Sequence, residues 1–208
     1  IRHFSFGSSS NPVEDWSSPH TYGVFKGRNG NVWIGSRQHG LYGLNIYTNK
    51  IINFSHKEND INSISHNGVY EIYEDHNSNL WIATDAGVLD YYEKATGKFY
   101  HYKLTDLQYT VADLQYIDIT EDSSNKIWIA TGNGILSFNT RFKKISSWQR
   151  HPGQGAIPGN SVWSIFRSKE GNFFVSSDGI SLFDTTMQTF SPFKIMENGK
   201  NVFTDNIT

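Results

Sequence analysis

Four stretches of this chain are copies of one pattern, and that repetition limits the fold more than any other feature. They are Gly30-Asn-Val-Trp-Ile-Gly-Ser36, Ser78-Asn-Leu-Trp-Ile-Ala-Thr84, Asn125-Lys-Ile-Trp-Ile-Ala-Thr131 and Gly171-Asn-Phe-Phe-Val-Ser-Ser177. Their aromatic anchors, Trp33, Trp81, Trp128 and Phe174, stand 48, 47 and 46 residues apart. Nine positions before each anchor is an apolar residue: Val24, Ile72, Ile119 and Ile165. Between the two lies a turn rich in Gly, Asn and Ser, residues that accept the positive φ of tight hairpins. Each anchor is followed by a short loop ending at Gly40, Gly87, Gly134 or Gly179, then by Leu41, Val88, Ile135 or Ile180. Last comes a further extended run such as Lys98-Phe-Tyr-His-Tyr102 or Phe190-Ser-Pro-Phe193. No window of useful length has helical periodicity.

Each period therefore resolves into four short strands, here called a, b, c and d. A repeat of forty-odd residues made only of strands predicts propeller blades. The expected fold is all-β: a β-propeller fragment of about four four-stranded antiparallel blades. Strand b is apolar almost without a break, as expected of a strand buried on both faces. A single blade cannot bury both faces alone, so Trp33, Trp81 and Trp128 are expected in the seams between neighbours. The expected boundaries are an orphan outer strand at 1–6, blades at 21–54, 69–102, 116–148 and 162–193, and a linker into a further blade at 194–208. The whole chain, 1–208, then reads as part of one propeller, excised from a larger ring. A fragment of that kind would expose sheet faces and tend to associate.

Composition narrows the function. The 208 residues carry a formal net charge of −2, 15% aromatics and only 18% charged residues. Without a basic excess there is little to neutralise phosphates, so no nucleic acid partner is expected. Apolar runs are far shorter than the ~20 residues that span a bilayer, so no direct membrane contact is expected. There is no cysteine, which fits an oxidising compartment. Metal and cofactor motifs are missing too. Asp75-His-Asn-Ser-Asn79 resembles the start of a calcium loop, but Leu80 replaces the required Gly and Ala86 the bidentate Glu. It reads better as a hairpin turn. No metal, no cofactor and no catalytic residue is expected.

The Asp-x-x-x-Asn-x-Trp-Ile-Ala-Thr-x-x-Gly-Val pattern from Asp75 to Val88 resembles the two-component regulator propeller repeat, and Trp33, Trp128 and Phe174 head three further copies. The last copy departs from it, with Phe173-Phe174-Val175 in place of the Trp core. The resemblance implies the extracytoplasmic, periplasmic sensor region of a bacterial hybrid two-component receptor of the kind found in gut Bacteroidetes. In such receptors propellers precede a β-sandwich, a membrane segment, a histidine kinase and regulator domains. It also implies a glycan-derived oligosaccharide as ligand, the rest of the propeller as a partner, and a homodimer in the full receptor. Any kinase activity would lie outside this segment, which is expected not to be an enzyme.

In a propeller the b–c and d–a connections share one rim, and the a–b and c–d turns share the other. The a-to-b spacing is nine residues in all four repeats, whereas the anchor-to-Gly spacing across the b–c loop is 7, 6, 6 and 5. Function on a repeat scaffold tends to sit in such variable loops. The expected ligand-binding set on that rim is Arg37, Gln38, His39, Trp16, His20, Asp85, Asn133 and Asp178. Arg37 and His39 suit acidic or sulfated sugars. Trp16, Tyr109 and Trp163 are candidate stacking surfaces, although Trp163 aligns with Tyr22, Tyr70 and Ile117 in strand a and is expected in the core. Glu71 and Asp118 align with Gly23 and Ser164 and are expected as solvated groups lining the central channel. An acid–base pair there, as in a propeller lyase or hydrolase acting on polysaccharide, is the alternative function. A protein-interaction scaffold is a second alternative.

Overall fold

Every strand in the computed structural model belongs to an antiparallel sheet. It describes residues 21–104, 118–139, 144–149, 157, 159, 161–184, 186–187, 189–194, 196–197 and 200–201. The 1–6 stretch, Trp16, His20, Tyr109, Ile117 and the d–a segments at 11–20, 106–109 and 150–155 lie outside the described residues.

The first sheet joins β1 (Thr21–Lys26), β2 (Asn31–Ser36), β3 (Leu41–Asn45) and β4 (Ile51–Phe54). The second joins β5 (Val69–Glu74), β6 (Leu80–Thr84), β7 (Val88–Glu93) and β8 (Lys98–Lys103). The third comprises β9 (Asp118–Glu121), β10 (Lys126–Thr131), β11 (Gly134–Asn139) and β12 (Lys144–Trp148), and the fourth β13 (Ser164–Arg167), β14 (Phe173–Ser176), β15 (Ile180–Asp184) and β16 (Thr189–Pro192). In each sheet spatial order follows chain order. A two-stranded ladder of β17 (Met196–Glu197) and β18 (Lys200–Asn201) follows, which the sequence pattern did not foreshadow. Among the described residues the fold is thus all-β with four four-stranded antiparallel sheets, as the repeat predicted.

The a–b turns show why the repeat keeps Gly, Asn and Ser there. Asn29, Gly30, Ser78, Asn125 and Gly171 all have positive φ. Asp75 Oδ1 accepts from the backbone N–H groups of Asn77 and Asn79, and Asp122 Oδ1 from those of Ser124 and Lys126. The calcium-like segment is therefore a side-chain-capped hairpin turn. The second oxygen of each Asp accepts from its own blade's indole, at 3.3 Å for Trp81 and 2.8 Å for Trp128. A buried indole N–H needs such a partner. The first sheet has Gly27 where that Asp would be, and Trp33 instead donates to Glu74 of the next sheet at 2.9 Å. A Cβ on Gly27 would crowd that carboxylate and that indole.

Consecutive sheets stack through three apolar cores. Trp33 packs with Val69, Ile72, Leu80 and Ile82, while Trp81 packs with Ile119, Ile127, Ile129 and Phe138. Trp128 packs with Ile165, Phe173 and Val175. All three tryptophans are buried, as expected. Alternate residues of one strand thus serve opposite seams, with Trp81 facing the third sheet and Leu80 and Ile82 the first. First strands approach first strands (β1 to β5, β5 to β9, β9 to β13), which places the a strands innermost. The outward faces of the first and fourth sheets differ from the seams. Val24 is 68% exposed, whereas its counterparts Ile72, Ile119 and Ile165 are buried. Trp163 is corrected here. It stands 55% exposed, because it precedes the first residue of β13 and falls outside the buried cluster that holds Ile165.

Candidate functional site

The b–c loops are built to hold their tips outward. In the first sheet the Ser36 hydroxyl donates to Gly40 O at 2.9 Å and accepts from His39 N at 2.8 Å. Thr131 repeats this with Gly134 O and Asn133 N, and the Thr84 hydroxyl donates to Val88 O. This is the reason for Ser or Thr three residues after each Trp. Gly40 has φ of 79°, and a Cβ there would lie 2.1 Å from Phe54 O, so the loop closes only with glycine. Arg37, Gln38 and His39 are consequently exposed on a short, fixed loop.

The b–c loops and d–a connections interlock on one rim, as the propeller geometry requires. Gly40 N donates to Asn67 O at 2.9 Å, and the Asn53 side-chain amide donates to His39 O at 3.1 Å. The Ser65 and Thr84 hydroxyls share a bond of 2.8 Å, and Asp85 N donates to Gly68 O. The 55–68 connection is also pinned from beside the sheet. Asp90, wholly buried, accepts from Ser65 N and pairs with His101 Nδ1 at 2.7 Å, while His101 Nε2 meets Ile61 O at 3.0 Å. Both ring nitrogens face acceptors, so the imidazolium fits best. Burial alone would lower the His101 pKa; the Asp90 carboxylate and the Ile61 carbonyl outweigh it and raise the pKa.

Two tyrosines complete this corner. β1 and β5 each slip register by one residue, between Thr21 and Gly23 and between Val69 and Glu71. The extra residues are Tyr22 and Tyr70. Such bulges re-aim a side chain, and here the two rings meet with centroids 4.4 Å apart. Tyr22 is 41% exposed. Its hydroxyl pKa is raised by burial and by the Asp85 carboxylate, against the opposing pull of Arg37. Arg37, Asp85 and the tyrosine pair therefore gather at the junction of the first and second sheets. His66 lies beside them, its Nδ1 accepting from Gly68 N and standing 3.8 Å from Asp85.

Of the sequence-derived candidates, Arg37, Gln38, His39 and Asp85 belong to this corner. Asn133 and Asp178 sit on the b–c loops of the third and fourth sheets, Asp178 close over Gly159. No contact among the described residues joins them to Arg37. Trp16 and His20 lie outside the described residues. Tyr22, Tyr70 and His66 were missed, because a one-residue bulge leaves no trace in the nine-residue spacing.

Deeper along the axis, Glu71 and Asp118 occupy equivalent register positions, opposite Ala83 and Ala130. They are not freely solvated. Burial, with the Asp118 charge second, pushes Glu71 up to about 8. Asp118 Oδ2 accepts from Ile165 N at 2.9 Å and from the Ser164 hydroxyl at 2.5 Å, tying the third sheet to the fourth. Asp118 is thus a structural acceptor between sheets. Among the described residues no group of three His, Cys, Asp or Glu is placed to hold a metal ion.

Known proteins resemble the chain in fold and in one repeat. No curated protein matches its sequence. The extracellular domain of BT3049 from B. thetaiotaomicron, described as a hybrid two component system, has a TM-score of 0.67 at 23% identity, over 86% of this chain and 25% of that one. The extracellular domain of BT4673 from the same organism, also described as a hybrid two component system, gives 0.59 at 23% identity, over 84% of this chain and 25% of that one. A further structure of the BT4673 domain, described as part of a one component system, gives 0.58 at 24% identity over the same shares, 84% and 25%. The chain spans about a quarter of the length of these domains. It shares its fold with that quarter, and within it residues 63–86, the segment that enters the second sheet and runs through β6, match the two component regulator propeller.

Proposed function

We propose that this chain is part of the periplasmic sensor region of a bacterial hybrid two-component receptor, and that it recognises a glycan-derived oligosaccharide at the corner between its first two sheets. The observation that carries the reading is the Tyr22–Tyr70 pair, set on two bulges and flanked by Arg37 and Asp85. A sugar ring offers an apolar C–H face and a fringe of hydroxyls. The tyrosine rings supply a surface for the first, and the guanidinium and carboxylate supply donor and acceptor for the second. The matched repeat at 63–86 and the likeness to extracellular domains of two-component proteins support the sensor role. Catalysis would then belong to a histidine kinase elsewhere in the parent, and the signal to rearrangement of a homodimer.

Titration calorimetry against a panel of acidic and neutral oligosaccharides tests this. Binding is expected, and Arg37→Ala or Tyr70→Ala should weaken it by about 1–3 kcal/mol, roughly 5- to 150-fold. A ligand bound equally well by both variants would remove this corner from consideration.

A further inference from the structure

The opposite rim holds a feature that the loop corner does not use. A cleft of about 260 Å³ opens between the first and second sheets among the a–b and c–d turns. The first two seams differ at one cross-strand pair. Across β2 and β3, Trp33 pairs with Gly43, whereas across β6 and β7 the equivalent Trp81 pairs with Tyr91. Tyr91 covers Trp81 at 4.6 Å between centroids, and that indole is fully buried. Gly43 cannot be exchanged for a larger residue without disturbing Trp33, since a Cβ there would lie 2.4 Å from the indole. In the first sheet the Trp33 ring itself lies over Gly43, and the cleft opens beside it.

The lining is aromatic on its walls and cationic in charge. Trp33, Phe54 and Tyr92 contribute ring surface, and Lys50 and Lys94 contribute ammonium groups with no carboxylate partner among the described residues. The carboxylate in the wall, Glu74, is already committed, with Oε2 accepting from Trp33 Nε1 and Arg28 N, both at 2.9 Å. Asn31 is held through its side-chain oxygen by Asn45, which leaves its two amide donors unengaged among the described residues. The volume is below the usual range for drug-sized ligands, so it suits one ring rather than a chain.

We infer that this cleft is a second ligand site, on the rim away from the loop corner, taking a single carboxylated pyranose ring with its carboxylate between Lys50 and Lys94 and its ring against Tyr92 and Phe54. The choice of a sugar among ring-bearing carboxylates rests on the carbohydrate reading above; the site itself does not depend on the loop corner.

The test is an NMR titration of the full-length chain, labelled at its indole nitrogens, with glucuronate and with glucose. The Trp33 resonance is assigned by Trp33→Phe. Glucuronate should shift it saturably, with a Kd in the millimolar range and glucose at least about tenfold weaker. Charge reversal at both exposed lysines, K50E with K94E, should abolish the shift and leave the remaining spectrum folded. Arg37→Ala should leave it unchanged, which separates this site from the loop corner. Equal binding of glucose, persistence in the double reversal, or no saturable shift at Trp33 would overturn the inference.

Discussion

The first two seams of this molecule are made from the same motif and end up doing different things. Around Trp81 the seam is sealed: the indole is fully buried among Tyr91, Tyr102 and Phe138, and its N–H is satisfied within its own turn by Asp75. Around Trp33 the cross-strand partner is Gly43, the turn Asp is replaced by Gly27, and the indole N–H is served by Glu74 of the neighbouring sheet. The first seam therefore combines a looser interior with a bond across the interface. A repeat protein can make a site at one seam and a weld at the next by changing two positions, because each anchor is packed by neighbours that vary independently.

That comparison can be broken by truncating the anchors. Trp81→Ala should cost about 3–5 kcal/mol in urea unfolding, since it opens a cavity in a closed core, and Trp33→Ala should cost less because part of that space already exists. Equal costs would mean that the cleft closes in solution.

The inner ends of the two seams differ as well, with Gly23 at the register position where the second sheet has Glu71. Glu71 is held near 8, well above the ordinary carboxylate range of the unfolded chain. A raised folded-state pKa means that the native form holds the proton more tightly, so its contribution is intact at pH below about 4.5 and turns unfavourable as pH rises towards and past 8. Glu71→Gln keeps the shape of the protonated acid. It should leave Tm unchanged near the acid end and raise it at alkaline pH, by of order 2 kcal/mol in stability. A stabilisation that did not vary with pH would contradict the desolvated position.

A smaller effect sharpens the contrast between the bonds across each seam. Glu74→Ala leaves the buried Trp33 N–H and the Arg28 N–H without an acceptor and should cost about 1–2 kcal/mol. Glu121, the equivalent residue one sheet on, binds the more exposed His76 through its backbone N–H and its imidazole, while Trp128 keeps Asp122. Glu121→Ala should therefore cost less. Equal losses would show that the indole bond adds nothing to the first seam.

The fold was legible because an apolar central strand and a turn needing positive φ each leave a mark in sequence, and the repeat multiplied those marks fourfold; the capping Asp marks two of the four turns, at Asp75 and Asp122. Phe174 is in register with the tryptophans, pairing with Phe166 and Leu182, as its spacing required. The site was legible only in outline. Variable b–c spacing pointed to Arg37, Gln38, His39 and Asp85, but a spacing reports neither the bulges that bring Tyr22 onto Tyr70 nor the exposure of Trp163. Glu71 was read as solvated because sequence gives no measure of how closely the a strands converge. The Gly43 cleft was invisible for a similar reason: a glycine in a strand signals a close approach without saying what approaches.

The most direct measurement of the central claim is amide hydrogen exchange on the full-length chain, with and without the tightest-binding oligosaccharide of the panel. The account predicts slow exchange in β6 and β10 in both states, with ligand-dependent protection at residues 37–40 and 65–70, where the loop corner is built. Protection confined to the a–b turns, or spread evenly over all four sheets with none at that corner, would contradict it.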